Sequence, residues 1–134
     1  MGRVSDERRA ALGGTLDRLT AEIRRRAPHA RVFLVDYLTI LPPDDRDTGA
    51  LPADVAAWGR DVAARLAAET RAAAARAGFD HIAASEASRE HHAWAPAPWT
   101  RQFHYSSRGG APYHPNLPGM QAVADLLTAR ALVN

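Results

Sequence analysis

Arg31-Val32-Phe33-Leu34-Val35-Asp36 is the stretch that decides the fold. Its apolar run is too short for a helix and rich in β-branched residues, so it reads as a strand buried on both faces. Such strands belong to parallel sheets, whose crossovers are helical. The flanks agree with that reading. Upstream, Leu12, Leu16, Leu19 and Ile23 recur at helical spacing behind Ser5, an N-cap candidate, and the pattern stops at Pro28, which predicts a helix over Asp6–Arg26. Downstream, a polar loop from Pro42 to Gly49 leads into an alanine-rich helix that begins near Pro52, is expected to bury Val55, Trp58, Val62 and Leu66, and ends at Gly78.

Farther out, Phe79–Ala84 reads as a second strand and Glu86–Pro112 as a long irregular loop, with its prolines, histidines and Gly109-Gly110. Loops of that length usually carry function. The chain closes with a helix from Pro118 onward, in which Met120, Val123, Leu127 and Ala131 fall on one side. The order α-β-α-β-loop-α implies an α/β sandwich built from crossover units. Two strands make a small sheet against the usual figure of about five, so about half of the sheet is expected to lie outside this chain, here taken as one incomplete domain over residues 1–134. Trp58, Val62, Leu34 and Leu127 are the expected core.

Composition excludes several classes of function. The 134 residues carry a formal charge of +2 with arginine and no lysine as the base, and the arginines alternate with acids (Arg8, Arg9, Arg18 and Arg24 beside Glu7, Asp17 and Glu22). That is the pattern of a solvated helix face and not of a nucleic-acid surface. Absence of cysteine excludes disulfides and zinc-thiolate sites. No stretch approaches the ~20 apolar residues of a membrane span, and the charged N-terminus lacks a secretory h-region, so the chain as written is expected to be cytoplasmic, with no membrane span.

The most specific chemical signal is Ala111-Pro-Tyr-His-Pro-Asn-Leu-Pro-Gly119, followed at once by the last helix. His114-Pro115-Asn116 with Gly119 resembles the last sequence block of SGNH (GDSL-type) hydrolases, whose catalytic histidine stands on the loop before the final helix. Arg24 to Tyr37, with Ile40-Leu41-Pro42 after it, resembles the helix-then-strand segment following their asparagine block. His91 to Trp99 resembles the loop before the histidine, where extracellular relatives often carry cysteine and Trp94 stands here. The resemblance implies a three-layer α/β/α flavodoxin-like sandwich, represented by its C-terminal half, and an esterase or lipase chemistry without cofactor or metal. In that chemistry His114 is the general base that takes a proton from a serine hydroxyl and returns it to the leaving alcohol. Members of the family are often secreted.

Two departures matter. The family commonly places an aspartate three residues before the histidine to orient it; Ala111 stands there, which leaves its main-chain carbonyl, or one near it, as the acceptor of a Ser-His dyad. The family's Gly-Asp-Ser nucleophile block and Gly-x-Asn-Asp oxyanion block do not occur in this sequence. Ser85, Ser88, Ser106 and Ser107 lie outside any strand-to-helix elbow and read as loop or capping serines. The chain alone is therefore expected to be inactive or half of an enzyme acting on a small ester, completed by a complementary chain or by homo-oligomerisation. A truncated gene product, a split enzyme and a degenerate domain kept for binding all fit. A metal-binding module is the alternative of another class, suggested by His81, His91, His92, His104 and His114, although adjacent His91-His92 cannot easily both face one ion. Trp94, Trp99, Phe103 and Tyr105 read as packing for the long loop, with Trp99 and Tyr113 as the substrate-binding candidates beside His114.

Overall fold

Helix α1 (Asp6–Arg26), strand β1 (Phe33–Val35), helix α2 (Ala53–Ala77), strand β2 (Asp80–Ile82), the short helix α3 (Ala84–Ala87), a 3₁₀ turn at Arg89–His91 and helix α4 (Leu117–Leu132) follow one another along the chain. They are seen in a computed structural model that describes residues 6–44, 48–49, 51–102 and 111–133. Ser5, the expected cap of α1, lies outside the described residues.

The two strands pair in parallel, with Phe33 opposite Asp80, Leu34 opposite His81 and Val35 opposite Ile82. Helix α2 makes the crossover and lies against both strands, α1 packs on α2, and α4 lies against β2. Local chemistry explains the boundaries. α2 ends because Gly78 adopts the left-handed conformation (φ 65°), which lets its N–H reach the Ala75 carbonyl and the Phe79 N–H reach the Ala74 carbonyl. α1 approaches α2 closely at Gly13, where a Cβ would stand 2.7 Å from Glu69 Oε1. Beside that contact Arg76 donates to Asp17 and to Glu69, at 2.9 Å each, and so joins the two helices.

Three expectations are corrected. The strands are shorter than the apolar runs that announce them, and Ala84 starts α3 instead of ending β2. Residues 86–91, expected as the start of an irregular loop, lie in helical turns. The core also differs: Trp58, Val62, Leu34 and Leu127 are only half-buried and Leu66 is exposed, as are Leu19 and Met120. The buried apolar residues are Leu38, Ala56, Ala73, Ala74, Phe79, Ile82, Ala84, Ala93 and Ala95. Small alanines bury because helix, strand and loop approach closely at those points, whereas the large side chains project where no second layer of the described residues covers them. Val35 shows this most directly, at 38% exposed where burial on both faces was expected.

Candidate active site

The loop carrying His114 is held from both sides. On its N-terminal side, Thr100 and Pro115 form an antiparallel bridge, in which Arg101 N–H donates to the His114 carbonyl (3.0 Å) and Tyr113 N–H to the Arg101 carbonyl (3.1 Å). Arg101 also donates through its guanidinium to the Pro115 carbonyl at 3.0 Å. On its C-terminal side the Pro-Asn-x-x-Gly pattern has a steric and a hydrogen-bonding cause. Asn116 caps α4, its side-chain oxygen accepting the Gly119 N–H at 2.9 Å while its amide donates to the Pro98 carbonyl at 2.6 Å. Gly119 is required because a Cβ there would fall 3.0 Å from the Trp99 carbonyl carbon and overlap its oxygen.

Between these anchors the backbone turns sharply. Tyr113 has φ 58°, a conformation uncommon for a non-glycine residue, and its carbonyl accepts the Tyr37 hydroxyl at 3.2 Å. Tyr37 lies two residues beyond β1, so the histidine loop stands at the carboxyl end of that strand, where open parallel sheets place their ligand crevices. His114 is exposed, and its Nδ1 is 2.9 Å from the Pro112 carbonyl. A carbonyl only accepts, so this contact assigns the proton to Nδ1 and leaves the Nε2 lone pair to receive another. The acceptor is thus Pro112 and not Ala111. The Ala111 carbonyl instead accepts the main-chain N–H of His114 at 3.4 Å, because the left-handed turn at Tyr113 folds the imidazole back over the residue two before it.

Trp99 and Tyr113, the substrate-binding candidates, both border this loop. Trp99 stacks on His91 with ring centroids 4.1 Å apart and planes 1° from parallel, and the Tyr113 ring stands 6.5 Å from that of Trp94. The His91 ring nitrogen Nδ1 is in turn 2.8 Å from the Ala97 carbonyl. The histidines considered as metal ligands point to separate partners: His91 to Ala97, buried His92 to the Trp94 N–H, and His81 toward Asp36. His104, Ser106, Ser107, Phe103 and Tyr105 lie outside the described residues.

One group escaped the sequence reading. Asp36, at the carboxyl end of β1, is buried, and its two oxygens accept the Ser85 N–H and the Ser85 hydroxyl at 2.8 Å each. His81 Nε2 comes to 3.3 Å from the same carboxylate, yet the approach is misaligned for a hydrogen bond and Nε2 stays a buried atom without one among the described residues. Serine, aspartate and histidine are therefore together, but with the carboxylate between the other two, an order that fixes the Ser85 hydroxyl as a donor instead of exposing it to a base. Ser88 is likewise committed, accepting the Thr39 N–H and donating to the Ala84 carbonyl, both at 2.7 Å. A signal was present in the sequence: an acidic residue directly after an apolar strand, once buried, needs hydrogen-bond donors.

Solved structures share the arrangement of helices and strands. The chain superposes on phospholipase A1 from Streptomyces albidoflavus NA297 with a TM-score of 0.76 and 21% identity, over 88% of this chain and 50% of that one. An extracellular lipase from Streptomyces rimosus gives a TM-score of 0.76 and 24% identity over the same shares. The chain thus spans about half the length of either structure and has their α/β fold, that of SGNH hydrolases, in part. No curated protein matches it. The profile of GDSL-like lipases and acylhydrolases matches residues 1–122, from before α1 into α4 and through the whole histidine loop, and the chain accordingly belongs to the GDSL-like Lipase/Acylhydrolase family.

Proposed function

We propose that this chain carries the histidine half of a serine ester-hydrolase site and works with a nucleophile supplied from the half of the fold that it does not span. The observation that carries the reading is the 2.9 Å contact from His114 Nδ1 to the Pro112 carbonyl, which presents Nε2 as a proton acceptor in an exposed loop at the carboxyl end of β1. In the reaction, a serine oxygen bonds to the ester carbonyl carbon as its proton passes to Nε2. The bond to the alcohol then breaks, and the alcohol leaves with that proton. Water repeats the cycle on the acyl-serine, releasing the carboxylic acid. The neutral Pro112 carbonyl fixes the tautomer as a carboxylate would, with less electrostatic support for the imidazolium.

Trp99 and Tyr113 flank the loop and suit the apolar part of a small ester. Ser85 and Ser88 are committed to internal hydrogen bonds, which supports an external source for the nucleophile. The test is hydrolysis of a short p-nitrophenyl ester by the purified chain and by its His114→Ala variant. Both are expected to be equally inert alone. Fused to the half of the Streptomyces rimosus lipase that the structural match leaves uncovered, the chain is expected to turn over, with His114→Ala lowering kcat on the order of 10⁴-fold or more. Turnover by the unfused chain that depends on His114 overturns the external nucleophile, and a fusion whose turnover is unchanged by His114→Ala overturns the role of the histidine.

A further inference from the structure

The acceptor that sets the His114 tautomer is a peptide group, and a peptide can face two ways. Ala111, Pro112, Tyr113 and His114 form a turn, closed by the His114 N–H on the Ala111 carbonyl at 3.4 Å, with Pro112 second and Tyr113, at φ 58°, third. Positive φ at the third position with proline at the second is the mark of a type II turn. The type I alternative differs by rotation of the central peptide, here Pro112–Tyr113, through about half a revolution. That rotation would carry the Pro112 carbonyl away from the imidazole. Proline suits both types, whereas a third residue with a bulky side chain favours type I, since glycine and asparagine are the residues that take positive φ readily. The local sequence thus opposes the orientation that His114 needs, and contacts beyond the turn must select it.

Arg101 provides them. Its main-chain carbonyl accepts the Tyr113 N–H at 3.1 Å. That N–H and the Pro112 carbonyl belong to one peptide, so the rotation would break this bond together with the one to His114 Nδ1. The Arg101 N–H donates to the His114 carbonyl at 3.0 Å, and its part-buried guanidinium donates to the Pro115 carbonyl at 3.0 Å, a side-chain clamp laid over the main-chain bridge between Thr100 and Pro115. The Tyr37 hydroxyl holds the next peptide through the Tyr113 carbonyl. The Pro112–Tyr113 amide is therefore the middle link of a chain that runs from the Arg101 carbonyl to His114 Nδ1. Hydrogen bonds in such a chain polarise one another, so the Arg101 carbonyl also strengthens the acceptor beneath the imidazole.

We infer that Arg101 is a positioning residue for His114: it locks the Pro112–Tyr113 peptide in the orientation that puts the imidazole proton on Nδ1 and leaves Nε2 as the base. The consequence for turnover rests on the proposed function; the consequence for the tautomer rests on the turn alone. Imidazole nitrogen shifts of His114 in the full chain, measured at about pH 9 where an ordinary imidazole is neutral, report the tautomer. A strong Overhauser effect from the Pro112 Hα to the Tyr113 amide proton reports the type II turn. The parent is expected to hold the proton on Nδ1 and to show that effect. Arg101→Ala, which removes the guanidinium bond, is expected to raise the ratio of Nε2–H to Nδ1–H forms by about two- to tenfold and to weaken the effect. Adding Tyr113→Gly, which relieves the cost of positive φ, is expected to restore both, a rescue that a merely structural role for Arg101 would not give. Fused to the uncovered half of the Streptomyces rimosus lipase, Arg101→Ala is expected to lower kcat by up to about tenfold with KM within about twofold of the parent fusion. An unchanged tautomer in Arg101→Ala overturns the inference, and so does a double variant that does not regain the Nδ1 proton. A tautomer that responds as expected, in a fusion whose turnover ignores His114→Ala, keeps the positioning and removes the proposed function. Turnover that needs His114, with a tautomer indifferent to Arg101, does the reverse.

Discussion

Gly119 and Asn116 hold the histidine loop by different means, and their variants should separate accordingly. Gly119→Ala drives a methyl into the Trp99 carbonyl, whose oxygen it would overlap on an unmoved backbone. An overpacked site of that kind costs about 1–3 kcal/mol, which thermal unfolding of the purified chain would read as a lower Tm. An unchanged Tm would mean that α4 slides freely past Trp99. Asn116→Ala removes both the cap and the tie to Pro98, with an expected loss of about 1–2 kcal/mol. Asn116→Asp keeps the capping oxygen and loses the donor to Pro98, and is expected to fall between Asn116→Ala and the parent. His114→Ala, at an exposed position, is expected to leave stability within about 0.5 kcal/mol of the parent, so that any effect on turnover is chemical.

The histidine block was legible at this scale because it is contiguous, whereas its acceptor was not. Whether Ala111 or Pro112 presents its carbonyl depends on the sign of one φ angle at Tyr113, and tyrosine does not advertise a left-handed conformation as glycine does.

At the scale of elements, two polar junctions join segments far apart in sequence. The first is the carboxylate of Asp36, which pins the start of α3 through Ser85, reinforced by Thr39, whose hydroxyl donates to the Ser85 carbonyl at 2.6 Å. Asp36→Ala strands the half-buried Ser85 donors, and an equilibrium urea titration should show a loss of about 1–3 kcal/mol. Asp36→Asn, which retains one acceptor, should lose less. Equal losses would assign the effect to charge and not to hydrogen bonding. The second junction is Asp80, which takes Arg31 and Arg130 and so ties β2 to the end of α4. Hydrogen bonding from the Arg31 guanidinium, followed by that from Arg130, holds its carboxyl below the ordinary value. A carboxylate lowered in the folded state stabilises above its unfolded pKa of about 3.9, and the contribution is lost as pH falls through the folded value. The Tm advantage of the parent over Asp80→Asn should therefore be present at neutral pH and shrink progressively in acid below about pH 4. A difference independent of pH would show that the pair contributes nothing through ionisation. Neither junction could be read from spacing, since Asp36 with Ser85 and Asp80 with Arg130 are 49 and 50 residues apart.

Across the whole molecule, the exposed large apolar side chains are the dominant feature. Leu19, Val35, Tyr37, Leu66, Leu117, Met120, Leu132 and Val133 all keep more than a third of their surface in contact with solvent, while the buried set is largely alanine. Where such side chains adjoin, they mark an interaction site or an association hazard. The folded chain is expected to enhance the fluorescence of anilinonaphthalene sulfonate at neutral pH, and the lipase-half fusion to reduce that enhancement. Equal enhancement would place the dye-binding surface away from the partner. No helix among the described residues is long and apolar enough to cross a membrane.

The sequence by itself determined what depends on near neighbours along the chain. The bounds of α1, the left-handed stop of α2 at Gly78, the order of the three long helices and two strands and the Pro-Asn-x-x-Gly loop around His114 all follow from periodicity, capping and backbone allowance within a few residues. Tertiary structure alone decided which faces are covered and which acceptors meet which donors. Helical periodicity marks an apolar face but cannot say whether another layer lies upon it, which is why Leu66 and Met120 are exposed while Ala73 and Ala74 are buried. The Trp99 carbonyl over Gly119 and the parallel pairing of β1 with β2 are both set by how distant segments approach, and that approach is specified by packing, not by spacing along the chain.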